Sequence, residues 1–454
     1  MLLERLKDIV GPKGWTTDSA ELEHRVTDWR GTVRGATPMA ISPASTEEVA
    51  AVLRACANTR VAIVPQGGNT SMCAGAVPDA SGEQVVLSLS RMNQIRSVDA
   101  ANFSMEVEAG CILENIQTAA RKSDRFFALS LGAEGSCQIG GNLSTNAGGI
   151  NVIRYGTARA QVLGLEAVLA DGSIVSGLRS LKKDTAGYDL KQLFIGSEGT
   201  LGIITAATLK LYPAPAKIST ALIALESSGD AVKLLGLLRA ELSDRIEAFE
   251  LVSEFVFGLV SKHTPEQMLP FDETAPWYVL MDAAVDGEHL ENALSRAVES
   301  GLLIDAVITK NAMEAEKLWR MRHAIAEAER FSGETLKHDI AVPVSRMEEF
   351  LTRGDRLLED LAPGAQLIAF GHVGDGNLHY NVGLPPGFDD GAMVSIAIYD
   401  LVAELGGSFS AEHGVGRVKR QFLTQYRSEA ELNLMRTLKK ALDPNNILNP
   451  GKVI

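Results

Sequence analysis

Apolar residues recur along this chain in two rhythms. In "VAAVLRACA" (residues 49–57) they fall at helical spacing, and Ser45 and Glu48 just upstream stand at capping-box distance. "VAIV" (61–64) is short and evenly apolar, as a buried strand is, so residues 42–64 are predicted as helix then strand. Further on, "LIAFGHV" (367–373) and "LHYNVGL" (378–384) read as two strands joined by "GDGN", a hairpin turn sequence. "GGSFSAEH" (406–413) reads as a third strand-like stretch, and "EKLWRMRHAIAEAER" (316–330) as an amphipathic helix. No internal repeat and no low-complexity tract interrupts the pattern.

Between these elements lie three glycine-rich stretches. The strand at 61–64 runs into "PQGGNTSMCAGAVPD", where Gly67, Gly68, Asn69, Thr70 and Ser71 can present consecutive backbone N–H groups, the local chemistry of a phosphate cradle. Residues 132–156, "GAEGSCQIGGNLSTNAGGINVIRYG", interleave glycines with Ser136, Ser144, Thr145 and Asn146 and suit a long polar ligand. "FIGSEGTLGIIT" (194–205) is the third. Alone, each fits a tight connection in a β-rich domain, the commoner use of such glycines; three together point further toward a ligand. None matches G-x-x-x-x-G-K-[ST], and none is G-x-G-x-x-G opening a helix, so neither a P-loop nor a Rossmann site is supported.

The hairpin carries the candidate chemistry. His372 would end one strand and His379 start the next, facing each other across the ladder, with Asn381 on the face of His379. With Glu412 from the third stretch they could form a two-histidine, one-carboxylate set that leaves coordination positions open. The alternative is that histidines flanking a turn merely hydrogen-bond there. His413 suits proton removal near neutral pH, but beside a strand-borne Glu412 it needs a bend, which the glycines of "HGVG" permit. Without further context Arg322 and Lys337 read as solvated charges, one on the helix and one before a strand.

Composition narrows the classes. The chain has 454 residues, 46% hydrophobic and 22% charged, enough for two or three domains. A net charge of -14 with no basic stripe argues against nucleic acid or an anionic membrane surface, while a small anionic substrate remains compatible if local cations or a metal receive it. Cys56, Cys73, Cys111 and Cys137 form no CxxC pair and read as packing residues in a reducing compartment. No apolar run approaches the roughly 20 residues of a membrane span, and "MLLERLKDIVG" is charged where a signal peptide is apolar, so a soluble cytoplasmic protein without an integral membrane segment is expected.

"PQGGNTSMCAGAVP", "GGNLSTNAGG", "DGSIV", "DTAGYDLKQLFIGSEGTLGIIT", "GHVGDGNLH", "AEHGVG" and "LDPNNILNPGKV" occur in the order found in FAD-linked D-2-hydroxyacid dehydrogenases of the vanillyl-alcohol oxidase superfamily, and the chain resembles that family over nearly its whole length. The group includes D-2-hydroxyglutarate dehydrogenase, D-lactate dehydrogenase and the FAD subunit of glycolate oxidase. The resemblance implies an α+β fold. A bipartite FAD-binding domain spans 1–215 (subdomains about 1–97 and 98–215), an antiparallel-sheet substrate and metal domain 216–425, and a small helical segment, 426–454, returns to the flavin. It assigns FAD contacts to Pro65, Gly67, Gly68, Asn69, Thr70, Ser71, Gly132, Ser136, Gly140, Gly141, Asn142, Ser144, Thr145, Asn146, Gly148, Gly149, Glu198, Gly199, Gly202, Ile203 and Asn449. Asn69 stands where covalently flavinylated members often carry histidine, so non-covalent FAD is expected.

The resemblance further implies a divalent metal, zinc first and manganese or iron also compatible, on His372, His379 and Glu412, with His413 as the general base. Arg322, Lys337 and Asn381 are then substrate residues. Ala326 replaces a threonine of the 2-hydroxyglutarate enzymes, and Arg417 and Lys419 either meet a second carboxylate or lie on the surface. The implied reaction oxidises a D-2-hydroxy acid, D-2-hydroxyglutarate or lactate-like, to the 2-oxo acid. Hydride passes to flavin and electrons to an electron-transfer flavoprotein or quinone, and a homodimer is compatible. The alternatives are an FAD subunit of a glycolate-oxidase-like complex, or a flavin oxidase of the same fold acting on another alcohol.

Overall fold

The computed structural model describes residues 2–264 and 268–454. Ser45 caps the helix Thr46–Thr59, its Oγ accepting from Glu48 N at 3.2 Å, and the helix buries Val49, Val52, Leu53 and Cys56. Arg60 closes it in the left-handed region (φ 56°), and the strand Ile63–Gln66 follows. Helix then strand is thus observed where the local pattern predicts it, because both the cap and the apolar face lie within one short segment.

That segment belongs to the first of two units, which comprises the chain up to Gly148, Gly156–Ala214 and Glu412–Ile454. Ile63–Gln66 pairs in parallel with Val85–Ser88 in a four-stranded sheet. A five-stranded antiparallel sheet follows in the spatial order Ile95–Asp99, Ser104–Glu108, Ile203–Lys210, Val162–Val168, Ile174–Gly177. One core joins them, including Ile63, Val85, Leu87, Met105, Val107, Leu165 and Leu209. The carboxy-terminal helix Glu429–Leu442 starts on a complete Ser428/Glu431 capping box. After it Asp443 accepts from Ile447 N and Leu448 N, and Leu448 forms a parallel bridge to Ile63. All four cysteines are buried and none is in a disulfide, as packing residues would be.

The second unit comprises Gly149–Tyr155 and Pro215–Ala411. It is built on an eight-stranded antiparallel sheet whose central strands run Ser219–Leu225, Trp277–Ala283, Ile246–Ser253, Gln366–Gly371, Asn377–Gly383. Thr335–Leu336 and Asp339–Ala341 both pair with Asn377–Gly383. The helices Glu254–His263 and Ala312–Ala328 pack with the sheet through Val256, Phe257, Leu318, Met321 and Ile325. Among the described residues no helix is long and apolar enough to cross a membrane.

Two local expectations change. The hairpin forms, but Phe370 is the ladder partner of His379, so His372 lies beyond the paired residues in a turn closed by Asp375 N to His372 O (3.1 Å). Residues 406–413 form no strand beyond the single bridge Ala341↔Ser408. Ser408 Oγ donates to Ser410 O (2.9 Å) and accepts from Ser410 N (3.3 Å), a local bond that turns the chain out of the ladder.

Candidate active site

In the first unit the three glycine stretches meet. A Cβ on Gly68 would lie 2.1 Å from Ser136 O, and one on Gly199 (φ +73°) 2.5 Å from Pro65 Cγ. Glu198 N donates to Ser144 O at 2.8 Å. Only glycine permits these approaches, so the residues that looked like separate turns form one surface. A cavity of about 420 Å³ opens at Gly67–Asn69, lined also by Glu21, His24, Arg25 and Gln66.

Several polar side chains named above hold the loops to one another. Asn69 (φ 54°) donates from Nδ2 to His24 O and Thr27 O, each at 2.9 Å. Ser144 and Thr145 turn their hydroxyls to Gly140 O and Gly141 O. Asn146 accepts from Arg159 N, and Ser71 Oγ from Cys73 N. Asn449 (φ 44°) donates to Gly75 O and Glu198 O, tying the carboxy-terminal segment to the first and third stretches. Gly149 begins the short segment that belongs to the second unit.

The surface suits FAD. Gln138 Oε1, Asn142 Oδ1 and Asn449 Oδ1 are buried acceptors with no hydrogen-bond partner. Three such acceptors on the glycine stretches and the returning tail fit a ligand rich in N–H and O–H donors, which the isoalloxazine ring and ribityl chain supply.

Glu412 and His413 also lie in this unit, with His413 Nε2 3.9 Å from Glu412 Oε1. They occupy a bend, and glycines at 414 (φ +76°) and 416 (φ +51°) follow. Beneath the turn is Glu198, whose Oε1 accepts from Val415 N (2.7 Å) and Oε2 from Gly416 N (2.8 Å). Burial pushes this carboxyl up to about 7 against the pull of those two N–H groups and of Lys419. Lys419 is buried and Arg417 exposed.

In the second unit the candidate residues rest on buried carboxylates. Arg322 donates to Glu250 Oε2 from Nε and Nη2, each at 2.8 Å, and its guanidinium lies 4.9 Å from the Phe370 ring centroid. His372 Nδ1 bonds the other Glu250 oxygen. Burial would raise the Glu250 carboxyl, but His372 and Arg322 outweigh it and hold it down at about 2. An ionised carboxylate only accepts, so Nδ1 of His372 carries the hydrogen. The same arrangement is common in metal-ligating histidines, where a carboxylate orients the ring through its other nitrogen.

A second cluster gathers Lys337 and Asn381. Lys337 Nζ reaches Glu329 Oε2 at 2.6 Å and Asn381 Nδ2 reaches Glu329 Oε1 at 2.9 Å, while Asn381 Oδ1 accepts from His338 N. His379 pairs across the ladder with Asp339, and their ligand atoms lie within 4.8 Å of each other. Asp339 also accepts from Asn377 Nδ2 (3.0 Å) and Ala411 N (3.2 Å). The His372 and His379 ring centroids are 5.9 Å apart. Arg322, at 9% exposure, is not a solvated charge, whereas Ala326 on the same helix is exposed.

Glu250, Glu329 and Asp339 were not singled out by sequence. The available signal was a carboxylate inside an apolar strand, "AFELV" for Glu250 and "HDIAV" for Asp339.

Comparison with known proteins accords with this arrangement. A model described as FAD binding domain matches residues 37–177, and one described as FAD linked oxidases, C-terminal domain, matches 214–453. The chain is 39% identical over 463 aligned positions to "Probable D-2-hydroxyglutarate dehydrogenase, mitochondrial" of Oryza sativa subsp. japonica, covering 99% of this chain and 80% of that protein. It is 40% identical over 451 positions to "D-2-hydroxyglutarate dehydrogenase" of Xanthomonas citri pv. viticola, covering 96% and 93%. Among solved structures, p-cresol methylhydroxylase superposes with a TM-score of 0.78 at 16% identity (100% of this chain, 96% of that one), and alkyldihydroxyacetonephosphate synthase with 0.75 at 18% (99% and 84%). The fold is therefore the α+β vanillyl-alcohol oxidase type, with an FAD-binding domain and an antiparallel-sheet domain. The chain belongs to the FAD-linked D-2-hydroxyacid dehydrogenase family and is an FAD-dependent oxidoreductase.

Proposed function

We propose that this chain oxidises D-2-hydroxyglutarate to 2-oxoglutarate. The observation that carries the substrate is a pair of cations in one unit, Arg322 and Lys337, each on its own carboxylate. Two cations suit a substrate with two carboxylates. Glu250 takes two of the five guanidinium N–H groups and Glu329 one of the three ammonium hydrogens, leaving donors in fixed directions for an incoming anion. The names of the relatives point to the same acid.

His413 would take the hydroxyl proton on its imidazole, while Arg322 and Lys337 orient the carboxylates and Asn381 donates from the strand beside His379. FAD, when bound, accepts hydride from C2, and a divalent cation, when bound, polarises the hydroxyl. The residues suited to that cation are His372, oriented by Glu250, with His379 and Glu412. Zinc suits this nitrogen and oxygen donor set, as do manganese and iron. With Asn69 hydrogen-bonded to His24 O and Thr27 O, FAD is held non-covalently, and electrons leave to an electron-transfer flavoprotein or quinone.

Steady-state kinetics with an artificial acceptor test the substrate. D-2-hydroxyglutarate should exceed D-lactate, D-malate and glycolate in kcat/KM by about tenfold or more, the value of one charge-assisted hydrogen bond. Ala326 favours a second reading, a shorter D-2-hydroxy acid, and a kcat/KM higher for D-lactate would select it.

A further inference from the structure

Every polar atom of Glu198 is engaged within the first unit. Its N–H donates to Ser144 O, its carbonyl accepts from Asn449 Nδ2, and its two carboxylate oxygens accept from the successive N–H groups of Val415 and Gly416. The backbone is left-handed there (φ 51°), in a residue with no glycine freedom, so the surrounding contacts hold it in a costly conformation. The turn above fits closely over the carboxylate. A Cβ on Gly414 would lie 2.8 Å from Glu198 Oε1, and one on Gly416 would lie 2.1 Å from Cys73 O. Arg417 N donates to Cys73 O (2.9 Å) and Val453 N to Gly416 O (3.0 Å), so the turn is held from both sides.

We propose that Glu198 is a positioning residue for the general base: its carboxylate clasps the 414–416 turn and so fixes the backbone from which His413 projects. The inference rests on the role of His413 proposed above. A carboxylate fits this position because two N–H donors arrive at two oxygens, and no isosteric neutral side chain accepts at both. Glutamine would turn an amide N–H₂ toward one of them. A carboxyl kept in a site that raises its pKa to about 7 is costly for packing alone. The positive-φ glycines complete the device, since any side chain at 414 would push the turn off the clasp.

The test is Glu198→Gln, alone and in a His413→Ala background, in the full-length FAD-loaded protein. The single variant should retain flavin absorbance, keep KM within about threefold and lose roughly 10- to 100-fold in kcat, the scale of a catalytic group displaced by about an ångström. In the His413→Ala background it should cost little more, because both changes disable one group. Amide exchange across 412–418 should accelerate about tenfold or more, independently of any substrate. Glu198→Asp, which keeps both oxygens, should recover part of the loss, and carries the same readouts if the glutamine variant does not fold. Losses that multiply with His413→Ala, a KM rise matching the fall in kcat, or unchanged exchange at 412–418 would overturn the role. A wild-type protein inert toward every D-2-hydroxy acid would instead count against the proposed function, while the exchange measurement still reads the clasp.

Discussion

The glycine-loop unit and the antiparallel-sheet unit place their chemistry on different atoms. Around Gly68, Ser136 and Gly199 the polar groups belong largely to the backbone and to short amides, and the close approaches depend on missing side chains. Around Glu250 and Glu329 they are long charged side chains, each fixed by a partner far away in sequence: Arg322 is 72 residues from Glu250, and His372 is 122. A backbone surface can be lost by adding one methyl group. A charged cluster is lost by removing one partner, because the charge left behind is buried and uncompensated.

The largest effects should come from the reacting groups in either unit. His413→Ala should lower kcat by about 100- to 10,000-fold while leaving FAD and metal bound. His379→Ala should remove metal, measured by elemental analysis, and leave FAD bound, since the flavin stretches lie in the other unit. Equal metal content in both variants would break the division of labour between them.

Glu250→Ala should rank next. It strands Arg322 at 9% exposure and removes the acceptor at His372 Nδ1, so urea unfolding should show a loss of about 3–5 kcal/mol, together with weaker metal binding. A loss below about 1 kcal/mol would mean that the triad contributes little to holding this unit together.

Gly68→Ala probes the contrasting mode. The new methyl group meets a backbone carbonyl, not a mobile side chain, so the first and second stretches must part. FAD affinity, read by flavin fluorescence on dilution, should fall about tenfold or more, with the metal content unchanged.

Arg322→Lys tests the fork alone, because the charge survives. It should cost about 1.5–3 kcal/mol in kcat/KM, roughly 10- to 150-fold. Combined with Lys337→Ala the losses should add, since the two cations stand on different carboxylates.

The same contrast explains what could be read in advance. The helix and strand at 42–64 and the three glycine stretches were legible because caps, apolar faces and tight turns are local. The hairpin was legible but its register was not: "GDGN" suggested a short turn, whereas the loop includes His372 and leaves Phe370 opposite His379. The strand expected at 406–413 fails for a reason no alternation reveals, the Ser408 hydroxyl bonding its own backbone at Ser410. Glu250 and Asp339 acquire meaning only once separate strands are in register, so their sequence signal was a carboxylate in an apolar run and nothing more.

The measurement that tests the central claim most directly is a single turnover without oxygen. Purified protein as isolated, mixed anaerobically with excess D-2-hydroxyglutarate, should lose its oxidised flavin absorbance and yield one equivalent of 2-oxoglutarate per flavin, while the L enantiomer leaves the spectrum unchanged. Oxidised flavin persisting with D-2-hydroxyglutarate and with every other D-2-hydroxy acid, in protein shown to contain FAD and metal, would contradict the account.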